Sequence, residues 1–251
     1  MIVAGKIDKG KKRSTNQDNL FISNERIGPL PNLYIVADGM GGHNAGEIAS
    51  ARTIEEFCLY AQLNHELKIS KPDDIRNFLK RATSHANYII YKEASKNINL
   101  KGMGTTLTVA TIIKNEMHIA HVGDSRVYFL NKKNISQITT DHSVVAEMSK
   151  VLGLPIESFK DHPSKNVITR AIGIDKKIKI DVITISLKGI EYFLMCSDGL
   201  NNMLSNQRIH HMVYTNKDNI HFLIESLIQE ANHRGGIDNI AVIVGEVSKK
   251  C

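Results

Sequence analysis

No CxxC, no HExxH and no closely spaced cysteine pair occurs in this chain of 251 residues, whose three cysteines are Cys58, Cys196 and Cys251. Zinc centres built on those spacings are thereby excluded, and an odd, scattered set of thiols offers no disulfide framework. Cys58 and Cys196 lie inside apolar segments, where a thiol packs as a small hydrophobe, so a reducing compartment is expected. No apolar stretch approaches the roughly 20 residues that span a bilayer. The opening MIVAGKID is too short and too soon charged for a signal peptide. These absences predict a cytoplasmic protein with no membrane partner. Long runs of one charge are missing too: the formal net charge is only +6, and the densest basic run is KGKKR, Lys9 to Arg13. Without interleaved aromatics that run reads as a solvated loop, and no nucleic-acid partner is expected.

What the chain does have is enough apolar content, 42%, for one large core, with an ordinary 23% of charged residues. IVAGKI, NLFIS and NLYIVAD read as strands, the last two separated by the turn Gly28-Pro29-Leu30-Pro31. A helix is predicted from Ala45 to Leu63 with Ile48, Ile54, Phe57, Cys58 and Ala61 on its buried face. A second begins near Pro72 and carries Ile75, Phe78, Leu79, Ala82, Ala86, Ile89 and Ile90 at helical spacing. The period then changes. TTLTVATIIK and EMHIAHVGD form a hairpin across Asn115-Glu116, and RVYFLNK with NISQIT forms another. A short helix over 143–152 ends at Gly153, and the stretch 154–166 has little periodicity. IKIDVITISL and YFLMCSD return as strands, followed by helices over 207–213 and 219–232 and a last strand, NIAVIVGEV. No repeat, low-complexity tract or linker divides the chain. Two mostly antiparallel sheets packed together with helices outside, in a single domain spanning 1–251, is the architecture expected.

Aspartates stand where apolar runs meet turns. Asp38 closes LYIVAD and Asp198 closes YFLMCSD, each followed by Gly; Asp18 and Asp238 are each followed by Asn and a new apolar run. Turn chemistry explains any one of them. Four carboxylates gathered at one sheet edge would repel one another unless cations neutralised them, so a metal-dependent enzyme is expected. Oxygen ligands suit Mg²⁺ or Mn²⁺. A carboxylate bridging two such ions holds them roughly 3.5–4 Å apart, and a shared water becomes a nucleophile near neutral pH. Phosphate ester cleavage is the natural use. Arg13, on the loop entering the Asp18 strand, offers the guanidinium fork that fits a phosphate.

Seven segments occur in the order and spacing of the protein phosphatase 2C family: RSTNQD (Arg13 to Asp18), VADGMGGH (Val36 to His43), Gly104-Thr105-Thr106, HVGDSR (His121 to Arg126), TRAIG (Thr169 to Gly173), CSDGL (Cys196 to Leu200) and Asp238-Asn239. The chain resembles a compact bacterial member from end to end. That resemblance implies an α+β fold, a four-layer α-β-β-α sandwich of two mostly antiparallel β-sheets flanked by helices, with a small flap from about residue 141 to 168. It also implies metal-dependent hydrolysis of phosphoserine and phosphothreonine in proteins, with two Mn²⁺ or Mg²⁺ ions. By motif, Asp38 would bridge both ions, the Gly39 carbonyl would bind one, and Asp198 and Asp238 would complete the other. Asp18 would act through metal-held waters, Asp124 could hold a third ion, and Arg13 would bind phosphate. The partners implied are phosphorylated proteins, with a Ser/Thr protein kinase and its substrates among them.

Two departures from the family pattern stand out. Gln17 replaces a Glu found in many members. Met40 occupies the position where many eukaryotic members carry a His that acts as general acid, so the proton donor is unassigned; His43, shifted by three residues, is a candidate for proton transfer. No cysteine leads a CxxxxxR loop, which leaves a phosphocysteine route without support. Two other functions share these features: a catalytically silent phosphoprotein-binding regulator, and a hydrolase of small phosphate esters.

Overall fold

The computed structural model describes residues 1–41, 45–69, 71–159, 161–217 and 219–247. His43 and Cys251 lie outside the described residues. One sheet orders β2 (Asp18–Ser23), β3 (Leu33–Met40), β5 (Leu107–Ile113), β6 (Glu116–Val122) and β9 (Asp181–Ser186), with the two-residue β4 (Gly104–Thr105) paired to the end of β3. The other orders β1 (Ile2–Asp8), β11 (Ile240–Glu246), β10 (Tyr192–Cys196), β7 (Arg126–Leu130) and β8 (Ile135–Gln137). Every one of these pairings is antiparallel.

Strand alternation builds the layers. On β3, Leu33, Ile35 and Ala37 face α1 (Ala45–Leu63) in one cluster with its Phe57 and with Phe78 and Leu79 of α2 (Pro72–Lys96), which packs on α1, β6 and β9. Their neighbours Tyr34 and Val36 point the other way and meet Phe193, Met195 and Ile243 between the sheets. On β10 the alternate residues Tyr192, Leu194 and Cys196 join Leu223 and Leu227 of α6 (Ile220–His233) and Ile209 of α5 (Asn206–Thr215). The order is helix, sheet, sheet, helix. Each fully buried Leu or Phe in these layers contributes roughly 1.5–3 kcal/mol of transfer free energy.

Three local expectations are corrected. Ile48 is 38% exposed, because the buried stripe of α1 runs through Ala45, Ala49, Thr53, Phe57 and Ala61 at four-residue steps and leaves Ile48 about 100° to one side. The β5–β6 turn is Lys114-Asn115, with Lys114 at φ 58° and Glu116 already paired to Ile113. Asp198 does not sit in an open turn: it begins α4 (Asp198–Asn201), one residue after Ser197 leaves β10.

The segment 141–168 projects from the end of the sandwich where β6 and β7 meet. Its α3 (Val144–Leu152) is capped by Ser143, whose hydroxyl accepts from the Ala146 N–H, and ends at Gly153 in the left-handed conformation, φ 64°. A 3₁₀ turn over Ile156–Phe159 interrupts the stretch that shows no period in the sequence. Its base is closed by two backbone bonds, from Val144 N to the Val167 carbonyl (2.9 Å) and from Thr169 N to the His142 carbonyl (2.7 Å).

Candidate active site

Asp18 and Asp38 face each other across the β2–β3 pair. The end of β3 is fixed from both sides. Asp38 donates its N–H to Thr106 Oγ1 (2.9 Å), and its carbonyl accepts from Thr105 Oγ1 (2.9 Å) and from Thr106 N (2.8 Å). The GTT segment thus supports the site from β4 and the residue after it. Gly39 is required by contact: a Cβ there would lie 2.1 Å from the Gly46 carbonyl oxygen and 2.6 Å from that of Gln17. Only a glycine lets β3 pass so close to the start of α1.

The second sheet supplies the facing carboxylates. Ser197, at the end of β10, donates its hydroxyl to Asp18 Oδ2 (2.6 Å) and accepts from the Ala241 N–H (2.8 Å), tying the sheets together under the site. Asp198 accepts from Asn202 Nδ2 (3.0 Å). Asp238 accepts from its neighbour Asn239 N (2.8 Å) and from Arg13 Nη2 (2.8 Å). Asn239 brackets the entry loop: its Oδ1 accepts from Gln17 N (2.9 Å), and its Nδ2 donates to the carbonyls of Lys9 and Thr15 (both 2.9 Å).

Arg13, Asp38, Gly39, Asp124, Asp198 and Asp238 all line one cavity of about 250 Å³. Asp18 lies behind it, 1% exposed. The structure therefore brings together every site residue expected from the sequence that falls within the described residues. Met40 lines the same cavity, and so do Asn166 and Ile168 from the projecting segment, which no sequence signal marks. A neighbouring cavity of about 360 Å³ shares Asp124, Asn166 and Asp198 and is walled by Ile156, Phe159 and Met203. A larger cavity, about 840 Å³, lies at the other end of the sandwich beside Lys114 and Lys188 and touches none of these residues.

Burial and mutual repulsion set the carboxyls of this cavity apart. Burial raises the Asp18 carboxyl to about 7 against the opposing Ser197 hydrogen bond, with Asp198 and Asp238 adding repulsion. Burial, then the charges of Asp198 and Asp141, raise Asp124 to about 7. Burial and Asp238 raise Asp198 to about 6. Asp38 is held well above the ordinary range by burial and by Asp18, Asp198, Asp124 and Asp238 together. Arg13 is held protonated, first by its bond to Asp238. Asp18 Oδ1 is buried with no hydrogen-bond partner, an arrangement proteins rarely leave uncompensated. Hard oxygen donors, mutual repulsion and an orphaned carboxylate oxygen fit divalent Mg²⁺ or Mn²⁺ and do not fit zinc. Among the described residues no three His, Cys, Asp or Glu side chains close into a compact ligand group.

Arg126 and Arg170, both basic residues inside quoted motifs, have structural partners. Arg126 grips Asp141 through Nε (3.0 Å) and Nη2 (2.6 Å). Arg170 donates to Asp181 Oδ1 (3.1 Å), the carboxylate that also takes His142 Nε2 (3.1 Å). His142 Nδ1 accepts from Gly123 N (3.1 Å), so its proton sits on Nε2. This chain runs from β9 through the base of the projecting segment to the residue before Asp124. His121 is a satisfied buried histidine, bonded to Thr108 and to the Thr140 carbonyl.

The sequence profile of protein phosphatase 2C matches residues 9–228. The chain belongs to the protein phosphatase 2C family. A serine/threonine phosphatase Stp of Listeria welshimeri is 34% identical over 240 residues, which cover 95% of this chain and 93% of that protein. Protein phosphatase PhpP of Streptococcus pneumoniae is 35% identical over 243 residues, 97% and 96% of the two chains. Among solved structures, serine/threonine phosphatase Stp1 of Staphylococcus aureus superposes with a TM-score of 0.88 at 30% identity, covering 98% of this chain and 94% of that one. The PstP/Ppp phosphatase of Mycobacterium tuberculosis gives 0.82 at 28% identity, with 98% of each chain covered. Protein phosphatase 2C enzymes are metal-dependent, which accords with a carboxylate cavity that needs cations.

Proposed function

We propose that this protein phosphatase 2C hydrolyses phosphoserine and phosphothreonine in proteins at the Asp38–Asp198–Asp238 cavity, using Mn²⁺ or Mg²⁺. The observation that carries this reading is the convergence of Arg13, Asp38, Asp124, Asp198 and Asp238, from five separate strand ends and loops, on one small cavity. Asp38, the Gly39 carbonyl, Asp198 and Asp238 would hold two ions, with Asp18 acting through water and Asp124 available to a third. When bound, the ions supply positive charge for the phosphoryl oxygens and lower the pKa of a water until it is a nucleophile near neutral pH. The remaining work belongs to the chain. Asp238 holds the Arg13 guanidinium at the cavity wall, where its planar fork can take a phosphoryl oxygen without reorganising. Thr105 and Thr106 fix the backbone of Asp38, so the acidic floor cannot drift as charge develops above it. Met40 lines the cavity and has no proton to give, so the leaving alcohol is protonated by solvent or by a group beyond this set. The substrates we assign are phosphorylated proteins of the cytoplasm, made by a Ser/Thr protein kinase.

Hydrolysis of a phosphothreonine peptide with Mn²⁺, with EDTA and with Asp38→Ala tests this reading. Turnover is expected only with metal and with Asp38 in place. A folded Asp38→Ala protein that retains full turnover would remove Asp38 from the site.

A further inference from the structure

The loop between β1 and β2 carries Lys9, Lys11 and Lys12 immediately before Arg13, all exposed. It is not a loose excursion. The Asp8 carboxylate accepts from Gly10 N (2.8 Å), and both Lys11 N (2.8 Å) and Lys12 N (3.1 Å) donate to the Gly236 carbonyl. The Lys9 carbonyl is taken by Asn239 Nδ2 (2.9 Å). Gly10 adopts φ +75°, and a Cβ on it would stand 2.2 Å from the carbonyl oxygen of Asp238. The lysine loop is therefore packed directly on the backbone that presents one of the cavity's carboxylates. Arg13 is engaged by Asp238, yet among the described residues Lys9, Lys11 and Lys12 make no ion pair. Three cations thus stand on a tethered loop beside the cavity, with no ion-pair partner among the described residues.

We propose that the Lys9–Lys12 loop is a charged rim of the active site that selects phosphoproteins carrying Asp or Glu side chains close to the phosphorylated residue. The inference rests on the phosphatase reading above and names the class of substrate that the site prefers. Lys11 is separated from Arg13 by no more than about 7 Å of chain, inside the roughly 8 Å over which charges act at physiological ionic strength. An extended substrate advances about 3.3 Å per residue. With its phosphate at Arg13, residues about two or three positions along its chain therefore pass over the lysines. Rim charges of this kind act on encounter and on binding rather than on the chemical step.

The test uses the full-length protein loaded with Mn²⁺ and phosphothreonine peptides that differ only in flanking Glu or Gln. The peptides are compared on the wild type and on the Lys9→Gln/Lys11→Gln/Lys12→Gln variant, at low and high NaCl. We expect the wild type to favour the Glu peptide by roughly three- to tenfold in kcat/KM, the size expected of a few exposed ion pairs. The difference should lie in KM, shrink with salt and vanish in the triple variant, while p-nitrophenyl phosphate turnover is the same in both proteins. Equal kcat/KM for the two peptides on the wild type, or a preference that survives in the triple variant, overturns the rim. Turnover of p-nitrophenyl phosphate with neither peptide cleaved overturns the protein-phosphatase reading itself, and the rim with it.

Discussion

Ser197 carries two hydrogen bonds that no local pattern announces, one to Asp18 and one from Ala241. Ser197→Ala would strand a buried carboxylate oxygen and a buried N–H at once. At about 1–3 kcal/mol for each unsatisfied group, the variant should lose roughly 2–6 kcal/mol of unfolding free energy, read from urea midpoints. Metal affinity should also fall, by about the 10–100-fold typical of groups that orient ligands; an unchanged midpoint would mean the two bonds are silent. Asp198→Asn keeps the shape and removes the charge. Its kcat at saturating Mn²⁺ should drop by more than about 100-fold, beyond the effect of a merely supporting group, with the far-UV spectrum unchanged. Near wild-type turnover would take Asp198 off the ligand set.

At the scale of elements, the close passage of β3 over α1 is the most demanding contact near the site. Gly39→Ala drives a methyl into two carbonyl oxygens, at 2.1 and 2.6 Å, and neither belongs to a flexible side chain. The end of β3 must move away from α1, at a cost of about 1–3 kcal/mol, and the Asp38 carboxylate moves with it. Turnover should fall more steeply than stability, and equal activity in a folded Gly39→Ala protein would show that the close passage of β3 over α1 does not position the site. The same elements show what the sequence could disclose. The strand-end aspartates were readable because Asp38 and Asp198 each close an apolar run, and the two sheets because their strands alternate. The inward face of α1 was misread at Ile48, since an apolar side chain one position from a four-step stripe looks like part of it. The β5–β6 turn was misplaced by one residue because Asn tolerates a positive φ better than Lys, yet the pairing of Ile113 with Glu116 puts Lys114 there. Ser197 and the bracket made by Asn239 were invisible, since Ser and Asn carry no period and their partners lie 179 and 222 positions away.

For the whole molecule, the acidic cavity sets a link between pH, metal and stability. The carboxyls of Asp18, Asp124 and Asp198 have folded-state values of about 7, 7 and 6, above the roughly 3.9 of an unfolded Asp. Between those limits the folded state binds more protons than the unfolded one, so the metal-free protein loses stability from these groups as pH rises from about 4 towards 7. Cations that bind only the folded state restore it by mass action. Mn²⁺ should therefore raise the Tm more at pH 7.5 than at pH 5.5, a ligand well above its Kd being worth roughly a few kcal/mol of stability, and EDTA should reverse the gain. An equal increment at both values would mean that the cluster is not where the metal binds.

The sheet order places β11 between β1 and β10, and Asn239 at its start bonds to Gln17 and Lys9. The first strand waits for a neighbour made more than two hundred residues later. A ribosome working from the amino end delivers Asp238 only after Arg13, Asp38, Asp124 and Asp198, so a nascent chain that stops short of it lacks one wall of the cavity. The acidic cluster is complete only in a chain whose closing strand, the one that follows Asp238, lies between β1 and β10.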